Sequence, residues 1–203
     1  MRYLVALAAV AALCFSLSGA PLNVALGKSV SATAVVGAGG PTGDGLPVTE
    51  ALSSITDGIF KPEVTYWQQA VWWDESQPAS AGNIIEIDLG GTYQIGAAKV
   101  QADNNDVYHM EYRTPGGAWL PLVSIGTAGP FWLVTREVTF APVFATAVRI
   151  DADLGDQYYS VAEVQLYAVP EPATLGLAAL AVPILWLARR KSTQVGRRRG
   201  TRL

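Results

Sequence analysis

Among 203 residues there is one cysteine and one histidine. A protein-built zinc centre draws most of its ligands from Cys and His, and a Cys/His nucleophile pair needs both in the folded chain. Both chemistries are set aside. Charge is scarce as well, at 15% of residues. A chain with so little charge and six Trp is not built to stay unfolded. No G-x-S-x-G elbow occurs, which removes the hydrolase triad of that type. Between the termini no long segment repeats its apolar residues with the helical period of about 3.6. Bases are short in the middle, where residues 21–168 carry sixteen of the seventeen acids against six Lys and Arg. Such a body repels nucleic acid, whose binding needs clustered bases.

The ends are built differently. Met1 and Arg2 precede an apolar run over residues 4–17, followed by the small residues Ser18, Gly19 and Ala20. A short positive head, an apolar core and a small-x-small end predict a signal peptide over residues 1–20. Pro21 is a poor neighbour for a cut after Ala20, so a cut after Ser18 is the alternative, and an uncleaved membrane anchor is another. The single cysteine, Cys14, lies in this segment behind Leu13, where a lipoprotein site wants a small residue. A processed chain would hold no cysteine and no disulfide.

At the other end, Pro170-Glu171-Pro172 precedes an apolar run over residues 174–188, then Arg189-Arg190-Lys191 and further arginines. Fifteen residues in a helix span about 22 Å against a hydrocarbon core of about 30 Å, so flanking residues or local thinning must supply the rest. The basic cluster is expected to stay cytoplasmic. In this order the three parts resemble the PEP-CTERM sorting tail, over residues 169–203. The resemblance implies that the tail is a substrate of an exosortase, a membrane-embedded transpeptidase that cuts near the Pro-Glu-Pro. It also implies passage through the inner membrane to the cell surface or matrix of an exopolysaccharide-making Gram-negative bacterium. Two prolines around Glu171 hold the chain extended, which suits a protease-like cleft. No regular Thr-x-Thr array that would build a flat ice-matching face is present.

The middle alternates with period two. Ile85, Ile87 and Leu89 share one face of NIIEIDL at 83–89, with Glu86 and Asp88 on the other. Tyr108, Met110 and Tyr112 oppose His109, Glu111 and Arg113. Trp132, Val134, Val138 and Phe140 share a face with Arg136, and Ala162, Val164 and Leu166 oppose Glu163 and Gln165. Residues 97–101 and 147–150 are shorter strand candidates. Gly90-Gly91 and Pro115-Gly116-Gly117 read as turns between strands. The expected class is all-β, an antiparallel sandwich of about eight strands over residues 21–168.

The order of these pieces resembles a discoidin-type domain (coagulation factor V/VIII type C) of the galactose-binding-like, jelly-roll fold. The landmarks are NVALGKSV at 23–30, ITDG at 55–58, then Trp67, Trp72 and Trp73. IEIDLG at 85–90, YHMEYR at 108–113, GAW at 117–119, AVRI at 147–150 and SVAEVQLY at 160–167 follow. The resemblance implies a structural Ca²⁺ held by Asp57 and Glu163, with carbonyls from Ser54 and residues 59–61. Calcium wants six to eight oxygens, which two carboxylates and carbonyls begin to supply. The alternative is that Asp57 caps a turn and Glu163 faces water.

For a ligand, aromatic rings cover the apolar C–H faces of a sugar while amides and carboxylates satisfy its hydroxyls. Tyr66, Trp67, Trp72 and Trp73 crowd one connection, and 103–106 and 155–159 supply polar and aromatic residues before two strands. The candidates are Trp72, Trp73, Asn104, Asn105, Tyr158 and Tyr159. Against them stands core packing for the aromatics and turn formation for Asn104 and Asn105. His109 reads as part of a solvated strand face, and the pairs Asp74/Glu75 and Asp151/Asp153 as a solvated rim. The leading expectation is an exported, non-catalytic module that binds extracellular polysaccharide, neutral sugars above all because the body is acidic. A structural or adhesion spacer without a small ligand, and a hydrolase, are the other classes.

Overall fold

The computed structural model describes residues 21–34, 51–79 and 81–169. The expected signal segment, the sorting motif Pro170-Glu171-Pro172, the apolar run at 174–188 and Arg189-Arg190-Lys191 lie outside the described residues. Among the described residues no helix is long and apolar enough to cross a membrane.

Among the described residues eight strands follow one another: β1 (Ser29–Ala32), β2 (Thr65–Tyr66), β3 (Val71–Asp74), β4 (Ile85–Asp103), β5 (Val107–Arg113), β6 (Trp119–Ile125), β7 (Trp132–Asp153) and β8 (Tyr158–Ala168). All pairings are antiparallel, in the order β3-β8-β4-β7-β5-β6, with β1 added to β4 and β2 to β7. The all-β, antiparallel expectation holds, and the two layers are one hydrogen-bonded sheet curled on itself.

Two long strands make the curl. The first part of β4 pairs with β1 and with residues 147–150 of β7, in what we call the β5 layer. Its last part, 97–103, pairs with β8 and with residues 133–139 of β7, in the β8 layer. Between them the register shifts twice, from Asp88↔Ala147 to Tyr93↔Ala145 and again between Ile95 and Ala97. Extra residues in one strand kink a ladder without ending it, which carries a strand from one layer into the other. The reading of Gly90-Gly91 as a turn is therefore corrected. Both glycines lie inside β4, and Gly90, at φ 67°, takes a backbone conformation that a side chain resists. The short candidates at 97–101 and 147–150 are likewise parts of β4 and β7.

The core lies between the layers. Ile85, Ile87, Leu89, Val148 and Ile150 of the β5 layer meet Val100, Val164, Leu166 and Trp73 of the β8 layer, all fully buried. A second cluster of Trp67, Trp72, Ala70, Leu133 and Ala162 covers the other face of the β8 layer. Trp72 and Trp73, neighbours on β3, point to opposite faces and so enter different clusters. The period-two reading of β8 breaks at Ala162. Gln101 pairs with Glu163 and Ala102 with Val161, so Ala162 is an extra residue turned to the second cluster, while Val161 joins Val164 and Leu166 in the core.

A core Trp truncated to Ala loses transfer free energy and leaves a cavity. Trp73→Ala is expected to cost about 3–5 kcal/mol in urea unfolding. Leu120→Ala, at a position 43% exposed, is expected to stay within about 0.5 kcal/mol.

Candidate functional site

The pairings Asp103↔Leu133 and Val107↔Asp153 bring the end of β4, the start of β5 and both ends of β7 together. Three residues join Asp103 to Val107, so both layers finish at this edge of the fold. The loops 104–106, 126–131 and 154–157 cluster there, a position where a rigid scaffold presents variable residues.

Beneath the loops lies a polar frame. The Arg136 guanidinium donates to the carbonyls of Asp103 at 2.7 Å and Gly126 at 2.9 Å, and lies 5.3 Å from the centre of the Tyr108 ring. The Tyr108 hydroxyl sits 2.9 Å from the Ser160 carbonyl and accepts the Ser160 N–H at 3.1 Å. It also lies 3.3 Å from Asp106 Oδ2. Asp103 and Asp106 are fully buried. Burial raises the Asp103 carboxyl to about 7 despite backbone N–H donors, with the Asp156 charge adding to it. Burial, then the charges of Asp103 and Asp156, raise Asp106 to about 8. Gly155 makes room for Asp106: a Cβ there would lie 1.9 Å from Asp106 Oδ1, and its φ is 69°.

Asn104 and Asn105 belong to this frame. Asn104 is 4% exposed. Its carbonyl accepts the N–H groups of Ala128 and Gly129, and its side-chain oxygen accepts the Trp132 N–H at 3.0 Å. It thereby fixes the 126–131 loop and the entry of β7. The Asn105 amide, its nitrogen turned to Asp103, donates to both carboxylate oxygens at 3.0 and 3.1 Å. Both residues shape turns, the alternative weighed from the sequence.

The aromatic candidates separate. Trp72, Trp73 and Tyr159 are at most 3% exposed and offer no ring face to a ligand. The reason is that β3 is covered on both sides, by the core on one and by residues 65–69 on the other. Tyr158 is half-buried and ends a row of four rings. Centroid distances along Tyr158–Trp67–Tyr66–Trp132 are 5.5, 5.6 and 6.0 Å. Trp67 is buried at its middle, while Tyr158, Tyr66 and Trp132 keep exposed parts. Phe131, 51% exposed, stands next to Trp132. The sequence pattern places Trp132 on one strand face with Val134, Arg136, Val138 and Phe140 and does not single out Phe131. The signal was an aromatic pair directly after Gly129-Pro130, at the mouth of a strand.

Asp57 and Glu163 lie near each other, the Gly58 N–H reaching Glu163. Asp57 is exposed, and its Oδ1 accepts the Ile59 N–H at 2.7 Å in a local turn. Glu163 is fully buried rather than water-facing. Its Oε1 accepts the Gly58 N–H at 3.1 Å and its Oε2 has no partner. Burial first, then the Asp57 charge, raise it to about 7, against the pull of the Gln165 side chain and the Gly58 N–H. The Ser54 hydroxyl is also buried without a partner. An orphaned buried carboxylate oxygen beside a second acid fits a hard cation. Among the described residues no three Asp, Glu, His or Cys side chains gather around one point, so carbonyls would have to complete the shell.

No protein-family model matches the chain, and no curated protein matches it. Solved structures do. The lectin domain of lectinolysin, complexed with Lewis B antigen, has a TM-score of 0.53 at 17% identity, over 73% of this chain and 98% of that one. CpGH89CBM32-5 from Clostridium perfringens, in complex with GalNAc-β-1,3-galactose, has a TM-score of 0.50 at 17% identity, over 73% and 100%. The family 32 carbohydrate-binding module of C. perfringens NanJ, in complex with galactose, has a TM-score of 0.50 at 18% identity, over 68% and 92%. The chain has the galactose-binding-like fold of these carbohydrate-binding modules.

The polar frame sets a pH dependence. The folded-state values of Asp103 and Asp106, about 7 and about 8, lie above the value of about 3.9 for an unfolded Asp. Between roughly pH 4 and pH 8 the folded protein holds protons that the unfolded chain has released, so stability falls as pH rises through that window and levels off above it. Arg136 stays charged throughout. The melting temperature is expected to drop between about pH 5 and about pH 8, and Asp106→Asn to flatten that slope.

Proposed function

We propose that this chain is an exported, non-catalytic module that binds extracellular polysaccharide at the aromatic row. The observation that carries this is the run of four rings at the loop edge, its outer members half-buried with part of each ring reaching solvent and Trp132 pinned by Asn104. Such rings cover the apolar faces of a pyranose. The modules of like fold described above hold sugars, which supports the same reading here. An excess of acids over bases in the body favours neutral sugars. The carboxyls with the most strongly raised values, Asp103, Asp106 and Glu163, are closed off from solvent. That favours binding over hydrolysis, since a general acid must reach its substrate.

A structural Ca²⁺ is part of the proposal. Asp57 and Glu163 would hold it, with carbonyls from Ser54 and residues 59–61. When bound, it supplies a clamp between the 57–61 turn and β8, remote from any chemistry. Delivery is the last part: the signal segment takes the chain out, and an exosortase acts on the PEP-CTERM tail, with residues 174–188 in the membrane and Arg189, Arg190 and Lys191 on the cytoplasmic side.

A glycan array probed with the full-length chain tests the binding reading. Retention of neutral oligosaccharides is expected. Trp132→Ala and Tyr66→Ala should each weaken it roughly threefold to tenfold with little change in melting temperature. Unchanged retention in both variants would refute the aromatic row, and no retention by the wild type would favour a spacer. In a parallel arm, chelator is expected to lower the melting temperature by a few degrees, and Glu163→Gln to erase that difference.

For delivery, the intact mass of the product from its native host decides. A chain ending near Pro170-Glu171-Pro172 is the expected outcome, and a product still carrying residues 189–203 speaks against the exosortase.

A further inference from the structure

The face of the β5 layer turned away from the core carries a second groove. Its side chains lie in cross-strand rows. Ser124 on β6 pairs with His109 on β5, which pairs with Asp151 on β7. In the next row Pro121 pairs with Glu111, which pairs with Arg149, and Arg149 with Glu86 on β4. Between the rows opens a cavity of about 540 Å³, within the usual range for small-ligand sites of about 300–1,000 Å³. Ile84, His109, Glu111, Ser124, Arg149 and Asp151 line it.

The charges in the groove are unequally matched. Arg149 donates to Glu111 at 2.5 Å and stacks over Trp119, its guanidinium 4.5 Å from the ring centre. It is already used. Arg113 is held by Glu86 and Asp88 at 3.6 and 3.8 Å. His109 Nδ1 and Ser124 Oγ are 2.8 Å apart, and His109 Nε2 lies 3.9 Å from Asp153. Asp151 has no hydrogen-bond or ion-pair partner among the described residues, and it lines the cavity half-buried. A half-buried carboxylate in a polar groove interacts with a cation more strongly than an exposed one. Around it, the Ser124 hydroxyl, the His109 ring and the Glu111 carboxylate provide donors and acceptors for hydroxyls, and Ile84 and Pro121 provide apolar walls.

We propose that this groove binds amino sugars with a free amine, the ammonium on Asp151 and the ring hydroxyls on Ser124, His109 and Glu111. A bare amine, such as a lysine side chain, would use Asp151 and leave the other polar groups without a purpose. The site is separate from the aromatic row, which lies against the outer face of the β8 layer, and it does not depend on that row. With both occupied, one molecule joins two polysaccharide segments, and avidity rises where both can be engaged at once.

The test is calorimetric titration of the full-length chain, in a sugar-free non-ionic detergent, with the trisaccharide of glucosamine, its fully N-acetylated counterpart and a trilysine peptide. The unacetylated sugar is expected to bind, and to weaken with added salt as an ion pair does. The acetylated sugar should bind roughly tenfold more weakly at this site, and Asp151→Asn should weaken the unacetylated sugar by a similar factor. Ser124→Trp, at an exposed rim position, should block the groove while leaving Asp151 in place. Trp132→Ala should change nothing here, so loss of the aromatic-row reading and loss of this one are read separately. Equal affinity for the two trisaccharides overturns the proposal. So does unchanged binding in both groove variants, loss of binding in Trp132→Ala, trilysine binding as tightly as the amino sugar, or no binding by the wild type.

Discussion

The bent ladder between β4 and β7 is the constraint on which the rest depends. Two strands of nineteen and twenty-two residues stay paired through a fold-over, and the register shifts let them do so. A straight pair of that length would be a flat ribbon with one face in water. Bent, it presents two apolar faces to each other, and the other strands extend each layer from it. Burial of Ile85, Ile87, Val100 and Ile150 between the layers is the main favourable term, and the bend is what makes it available.

The same bend decides where the loops go. Because β4 and β7 double back, the end of one layer and the start of the other meet at Asp103 and Val107. The 104–106 loop there is largely buried, so its backbone needs partners inside the protein, and the exposed 126–131 loop is tied to it. Arg136, Asp103 and Asn104 are those partners, and the Tyr108 hydroxyl bonds the backbone of Ser160 beside them. The frame works at a cost visible in its own chemistry, since burial pushes the Asp103 and Asp106 carboxyls toward neutrality against the opposing pull of the Arg136 charge. What it obtains is a rigid entry to β7, and so a fixed place for Trp132.

Two surfaces result, one on each layer, with different chemistry. Against the β8 layer the exposed groups are rings, because residues 65–69 lie across it and bring Tyr66 and Trp67 against Trp132 and Tyr158. On the β5 layer the outward positions of β5 and β7 alternate acids and bases, because only the inward positions had to be apolar. Tyr108 and Met110 look into the core, while His109, Glu111 and Arg113 look out. Strand alternation thus supplies a polar outer face at no expense to the core.

Much of the architecture was legible in the chain alone. Period-two patterns located the inward residues of β4 and β5, and Pro115-Gly116-Gly117 marked the turn before β6. Those features depend on local alternation and turn chemistry, which neighbours in sequence are enough to encode. The tertiary structure alone decided the rest. It made Gly90-Gly91 a bend inside a strand, because partners on β7 continue the ladder on both sides of it. It turned Ala162 out of phase, because β4 pairs around it. It buried Trp72 and Trp73 and left Trp132 half-buried, because a ring's exposure depends on what folds over it from far along the chain, and no local pattern carries that information.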